Sequence, residues 1–241
     1  MKRLLLTLIS FLIMTVPAKS SYLKVTEPIL HYLCRAPKVK TVHPPVVILL
    51  HGVGSNENDL FSFVNQLPDN FLVIAARAPY TQAVGSYAWY SVDFSGGKPK
   101  IDAGQAEKSR TVILQFLSQL KELHDFDENQ VFLCGFSQGA IMSYSVGLTR
   151  PDKIKGIAVL SGRLLDEVKP IIPTSGKLNT LKVFIAHGNS DNVLGIHYAT
   201  DAINYLDKLG VKATYKEYSE GNTICANELE DLVKWLKSEM K

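Results

Sequence analysis

Cysteine is scarce in this 241-residue chain, which has only Cys34, Cys134 and Cys225. Three cysteines cannot all pair within one chain, and these lie too far apart for a compact zinc spacing. A disulfide miniprotein and a zinc ribbon are therefore excluded. At most one intrachain disulfide stays open, and Cys134, inside an apolar run, reads as a small buried hydrophobe. Charge excess is also slight. The formal net charge is +3, but Lys2, Arg3 and Lys19 lie in the first twenty residues, which hold no Asp or Glu; the remainder balances 23 basic against 23 acidic residues. Such a body lacks the broad positive field by which nucleic acid or an anionic membrane surface is held, so small molecules or neutral partners are expected. No internal repeat, low-complexity tract or long Pro/Gly linker divides the chain, and 46% hydrophobic content is enough for one ordinary core.

A long hydrophobic run occurs only at the start. Residues 4–16 are uncharged and largely apolar, preceded by Lys2 and Arg3 and followed by Pro17, Ala18, Lys19 and Ser20. The run is shorter than the roughly 20 residues a spanning helix needs, and its basic, apolar, small-residue order is that of a secretory leader. The expectation is a signal peptide over 1–20, a single domain over 21–241, and a periplasmic or secreted product with no stable membrane span.

Further along, strand-like apolar runs alternate with helical periodicity. Strands are read at 46–50, 71–75, 130–134, 156–160, 181–186 and 213–218. Helices are read at 59–67, around Ile113, Phe116, Leu117 and Leu120, at 139–148, at 199–206 and at 229–236. This alternation predicts an α/β fold with a mostly parallel central sheet and helices on both faces, with residues 22–35 adding antiparallel strands at one edge. The least regular stretch is 79–101. Its Trp89 and Tyr90 read either as the wall of a substrate pocket or as aromatics buried on the body.

The strongest chemical signal is Gly135-Phe136-Ser137-Gln138-Gly139, placed between a strand and a helix. The pentapeptide recurs by chance, but the strand–turn–helix context makes it a G-x-S-x-G nucleophile elbow. Such a turn lifts the Ser137 hydroxyl above the sheet at the positive end of the following helix, and Gln138 N–H becomes one donor for a developing oxyanion. His51-Gly52-Val53-Gly54 directly follows the run 46–50 and offers Val53 N–H as the second donor. G-x-G-x-x-G and a Walker lysine are both absent, which removes the nucleotide-loop reading of these glycines. His51 reads as a residue orienting this loop rather than as a base. Asp191, after the run 181–186, suits the acid that holds an imidazole in the right tautomer, and equally suits a turn or cap aspartate among Asn189, Ser190 and Asn192.

The segments HGVGSNENDL, GFSQGA, HGNSDNVL and EGNTIC, in that order across roughly residues 45–238, resemble the phospholipase/carboxylesterase family, the acyl-protein thioesterase-like α/β-hydrolases. The resemblance implies the α/β-hydrolase fold and hydrolysis of small-molecule acyl esters or thioesters, with no metal and no organic cofactor. It places the nucleophile at Ser137, the acid at Asp191 and the oxyanion donors at Val53 and Gln138. It also implies homodimers as one assembly open to the chain.

One residue departs from the pattern. The family carries its triad histidine after a glycine beyond the last strand, and here Gly221 is followed by Asn222. An asparagine has no nitrogen that titrates near neutral pH, so it can neither take the serine proton nor return it. Loss of the base from a comparable triad costs on the order of 10⁶ in kcat, roughly 8 kcal/mol, while the oxyanion hole and binding leave ~10³ over water. His197, near the start of a helix, and Glu220, beside the empty position, are the candidate replacements; an ordinary carboxyl with a pKa near ~4.3 is a poor base. Asn222 is either the native residue of a repurposed hydrolase or a substitution in an active parent. The readings carried forward are a serine carboxylesterase scaffold disabled at position 222, and a non-catalytic pseudohydrolase that binds acyl ligands. A peptidase on the same fold lacks the lid or propeller domain that the length would have to accommodate.

Overall fold

A computed structural model describes residues 27–93, 95, 99–173, 176 and 178–240. The segment read as a leader lies outside these residues. The chain runs β1 (Tyr32–Arg35), β2 (Val46–Leu50), α1 (Asn58–Phe61), β3 (Leu72–Ala76), β4 (Tyr80–Ala83), β5 (Ser86–Ala88), β6 (Val92–Asp93), β7 (Lys100–Ile101) and α2 (Ala103–Leu123). It continues with β8 (Val131–Phe136), α3 (Gln138–Thr149), β9 (Gly156–Leu160), β10 (Lys182–Gly188), α4 (His197–Lys208), β11 (Ala213–Tyr218) and α5 (Ala226–Ser238).

Uninterrupted apolar runs such as VVILL and GIAVL are what a strand needs when both of its faces are covered. Seven strands form one sheet in the order β1-β3-β2-β8-β9-β10-β11. Every neighbouring pair is parallel except β1 with β3. Alternate side chains feed two cores. Val46, Ile48 and Leu50 of β2 face the cluster built with α2, α3 and α4, whereas Val47 and Leu49 face Leu60, Leu229, Leu232 and Trp235 on the other side. Cys134 points into this second cluster, where burial pushes its thiol up to about 12. The three cysteines are unpaired.

The chain leaves β2 for β3 on one side and then crosses back to β8 on the other. The crevice where an open α/β sheet binds its ligands therefore opens above the carboxyl ends of β2 and β8. The helix that follows β8 is seated tightly there. A Cβ on Gly139 would lie 1.9 Å from the Leu50 carbonyl oxygen, and one on Gly135 would lie 2.2 Å from the Gly139 carbonyl.

Several sequence expectations are corrected. The N-terminal antiparallel edge holds one strand, β1, among the described residues; 22–26 lie outside them. The helix read at 59–67 has only the four residues of α1; beyond it the chain tightens into i→i+3 turns, with Phe63 N–H on Leu60 O, Val64 N–H on Phe61 O and Gln66 N–H on Phe63 O. The stretch 79–101 is not irregular throughout; it contains the hairpins β4–β5 and β6–β7. No described helix is long and apolar enough to cross a membrane.

The Gly139 contact is with backbone, which cannot swing aside as a side chain would. Gly139→Ala is expected to lower the unfolding free energy by about 3 kcal/mol, the upper range for overpacking. Urea unfolding checks this, and unchanged stability would contradict the contact.

Candidate active site

Ser137 stands between β8 and α3 with φ 51° and ψ −114°, in the left-handed region that a non-glycine residue adopts at a cost of about 1–3 kcal/mol. Its N–H donates to Leu160 O at 2.9 Å and its carbonyl accepts from Ile141 N–H at 3.1 Å. The backbone is therefore pinned on both sides of the side chain. The Ser137 hydroxyl has no hydrogen-bond partner among the described residues and opens onto a small, solvent-open cleft. Val53, Tyr90, Gln138, Ile141, Arg163 and Leu194 also line that cleft. Neither Val53 N–H nor Gln138 N–H donates to an acceptor among the described residues. Two backbone donors thus remain free beside the serine at the head of α3, the positive end of a twelve-residue helix dipole.

The loop carrying Val53 is fixed from below by His51, which is 1% exposed. Its Nδ1–H donates to Gly52 O at 2.7 Å and its Nε2 accepts from Ala78 N–H at 3.0 Å, so the two bonds assign the neutral Nδ1–H tautomer. Burial lowers its pKa, against the opposing pull of the Gly52 carbonyl. His51 is a structural histidine, as expected. Glu57 further along the loop is clamped by Arg77 at the end of β3, at 2.7 and 2.5 Å, and the guanidinium holds its carboxyl below the usual range despite burial.

Gln138 gives more than its N–H. Its Oε1 accepts from Trp89 N–H at 2.7 Å and its Nε2–H donates to Tyr90 O at 2.7 Å. The amide therefore clasps the peptide that bears both aromatics. Trp89 is not a pocket residue: it is fully buried, with its indole N–H on His51 O at 2.9 Å. It braces the Val53 loop from behind, while Tyr90, itself buried, lines the cleft.

Asp191 and Asn222 are brought together from the ends of β10 and β11. These strands are in parallel register, and Asn189 N–H to Tyr218 O and Ser190 N–H to Glu220 O carry the pairing into the loops. Asp191 Oδ1 accepts from the N–H groups of Val193 and Leu194, both at 2.8 Å, and Oδ2 accepts from Asn222 Nδ2–H at 2.7 Å. Asp191 is therefore both a turn aspartate and the partner of position 222. His197 is exposed, stacked on Tyr198, and makes no bond to Asp191. Glu220 offers its carbonyl to Ser190 rather than its carboxylate to the site. The sequence reading passed over His187, whose side chain is fully buried on β10 with Nε2 3.5 Å from Asp191 Oδ2. Its Nε2–H is committed to Leu194 O at 2.6 Å, so it braces the acid's turn. Position i−4 to Asp191 across the end of a strand was the available signal. Arg163 in the cleft was also missed, since it carries no motif. No group of three or more His, Cys, Asp or Glu suited to a metal ion occurs among the described residues.

A seven-stranded, mostly parallel sheet with an elbow serine above β8 is the α/β-hydrolase fold, the class to which esterases and thioesterases of this architecture belong. The phospholipase/carboxylesterase family profile matches residues 36–240, and the chain belongs to that family. Acyl-protein thioesterase 1 of Kluyveromyces lactis is 30% identical over 212 residues, 81% of this chain and 92% of that protein. Acyl-protein thioesterase 1 of Emericella nidulans is 27% identical over 217 residues, 80% of this chain and 90% of that one. Among solved structures, esterase PE8 matches with a TM-score of 0.74 at 25% identity, covering 87% of this chain and 98% of its own. The Bacillus cereus carboxylesterase shares the fold with a TM-score of 0.75 at 20% identity, covering 87% and 94%.

Burial of a neutral His51 sets a sign for pH dependence. Its folded pKa is lowered, so its contribution to stability is complete above the ordinary histidine pKa and declines as pH falls through the folded value. An NMR titration is expected to show His51 neutral, protonated at Nδ1, at pH values where free histidine is half charged. A pKa at or above the free value would contradict this assignment.

Proposed function

We propose that the chain is a serine carboxylesterase or thioesterase scaffold whose triad base is replaced by Asn222, so that acyl transfer as the sequence stands is strongly slowed. The supporting observation is the pair of unengaged N–H groups, Val53 and Gln138, beside a strained and unpartnered Ser137. In the proposed reaction with a histidine at 222, Ser137 Oγ adds to the acyl carbonyl while its proton passes to the imidazole. The two N–H groups receive the oxyanion, and the protonated imidazole, held by Asp191, gives its proton to the departing alcohol or thiol. Water then attacks the acyl-enzyme by the same route in reverse. Asn222 donates to Asp191 as that imidazole would but has no basic nitrogen to turn toward the serine.

The same 2.7 Å bond favours a second reading. The amide keeps the shape of the site without its chemistry, as a non-catalytic acyl-ligand binding protein would. The basic and apolar start of the chain supports export of either form, which N-terminal sequencing of the product checks.

Hydrolysis of short and medium 4-nitrophenyl esters by the parent, Asn222→His and Ser137→Ala decides between the two. The esterase reading expects Asn222→His to gain about 10³-fold or more in kcat, well within the cost of a missing base, with Ser137→Ala at background. No gain in a folded Asn222→His protein, together with calorimetric binding of acyl ligands that survives Ser137→Ala, would move the binding reading ahead.

A further inference from the structure

The cleft beside Ser137 is walled mostly by apolar side chains. Val53, Tyr90, Val92, Ile141 and Leu194 are among its walls, and Arg163 is the one charged residue among the described residues that line it. A guanidinium on such a surface ordinarily has a carboxylate beside it, since removing it partly from water is costly without a partner. Every Asp and Glu side chain of this protein lies among the described residues, and none comes within 4.0 Å of the Arg163 guanidinium, which also makes no hydrogen bond among them. The nearby Asp166 is engaged by Lys169 at 2.5 Å. What holds the Arg163 head is the Tyr198 ring, with Cζ 5.6 Å from the ring centre. That contact steers a cation and leaves its N–H edges free.

The backbone that delivers Arg163 is itself fixed. Leu160 is the register partner of Phe136 on the neighbouring strand. Ser161 then adopts φ 52°, left-handed for a non-glycine residue, while its N–H donates to Ala186 O at 2.9 Å. A strained turn pinned across to β10 therefore places Arg163 between the serine's strand and the acid's strand. Strain of this kind persists where the surroundings over-determine it, as at ligand-contacting positions.

Resting on the esterase reading above, we infer that Arg163 is a specificity residue that selects acyl substrates carrying one anionic group, a carboxylate or its like, on an otherwise apolar body. The planar fork can take a carboxylate through two parallel N–H···O bonds, while the apolar wall accepts the adjoining methylenes. The balanced charge of the whole chain does not bear on this, since a single fixed guanidinium at the cleft acts over a few ångströms and needs no long-range field.

The test uses three esters with the Asn222→His protein: neutral 4-nitrophenyl hexanoate, mono-4-nitrophenyl adipate with the charge on the acyl side, and 4-carboxyphenyl hexanoate with the charge on the leaving side. Each is corrected for its uncatalysed hydrolysis. One charged ester is expected to exceed the neutral one in kcat/KM by about tenfold or more, the worth of a charge-assisted pair, and which of the two does so assigns the side. Arg163→Met is expected to collapse that ratio and Arg163→Lys to restore part of it, with the preference shrinking as salt rises. No preference for either charged ester, or a preference untouched by Arg163→Met, overturns the inference.

The corresponding amides, which resist turnover, are titrated by NMR into the parent protein and its Arg163→Met variant. An anionic amide that binds about tenfold tighter than the neutral one only when Arg163 is present supports the inference even if Asn222→His hydrolyses nothing, an outcome that would count against the esterase reading alone. Equal binding of charged and neutral amides overturns the inference whatever the esterase result.

Discussion

The seat of α3 against β2 is the constraint on which the site rests. The helix comes so close that no Cβ fits at Gly139 or Gly135, which leaves the chain no room for a wider turn and forces Ser137 into the left-handed region. Burial of α3 offsets that strain: eleven of its residues, Gln138 through Leu148, are buried. Its apolar character all round suits a helix enclosed by sheet, α2 and loops. The two serines within it are no liability, because Ser143 and Ser145 return their hydroxyls to Gly139 O and Ile141 O, four residues back.

From that fixed helix the rest of the cleft is hung by a few buried polar groups. Gln138 reaches 49 and 48 residues back to grip Trp89 and Tyr90. Trp89 in turn holds His51 O, and His51 holds Gly52 and Ala78. The serine's helix is thereby linked to the loop that presents Val53 N–H, through Trp89 and His51, which are buried behind the cleft. An arrangement of this kind keeps two backbone donors unpaired without letting the loop collapse onto them, which is what electrostatic preorganisation requires.

The sequence exposes those parts of this fold that local rules determine. Strands β2, β9 and β11 fall where uninterrupted or alternating patterns place them. The elbow is legible because steric demands confine glycine to both sides of Ser137, and Asp191 and Asn222 because they follow the last two strands of a parallel sheet. What stayed hidden depends on distant partners. Nothing in residues 32–35 says that they pair with β3, and nothing in 59–67 says that the helix gives way to i→i+3 turns after Phe61. Trp89 and Tyr90 are neighbours in sequence with opposite fates, one behind the loop and one in the cleft, held so by the Gln138 amide, which grips Trp89 N–H on one side and Tyr90 O on the other. His187, first residue of the HGNSDNVL segment, and Arg163, outside every motif, acquire their roles only from what stands beside them.

On the proposed reading, the site also separates shape from competence at a single position. An imidazole at 222 would make two bonds at once, one N–H to Asp191 and one lone pair toward the serine, and would exchange a proton near neutral pH. The asparagine keeps the first, at 2.7 Å, and in place of the second presents at most a carbonyl oxygen, which accepts a hydrogen bond but does not hold a proton in water. The folded frame therefore loses little by the exchange: Asp191 stays satisfied by two backbone N–H groups and one side-chain N–H, leaving no orphaned buried carboxylate to strain the turn. On the proposed esterase reading the barrier to acyl transfer would have no such compensation, because the proton leaving Ser137 must go to a base at the moment the new bond forms, while His187 Nε2 is committed to Leu194 O and His197 is exposed. An open cleft whose two backbone donors and Arg163 find no hydrogen-bond partner among the described residues is what the proposed reading requires of a protein that recognises an acyl partner while lacking the basic nitrogen.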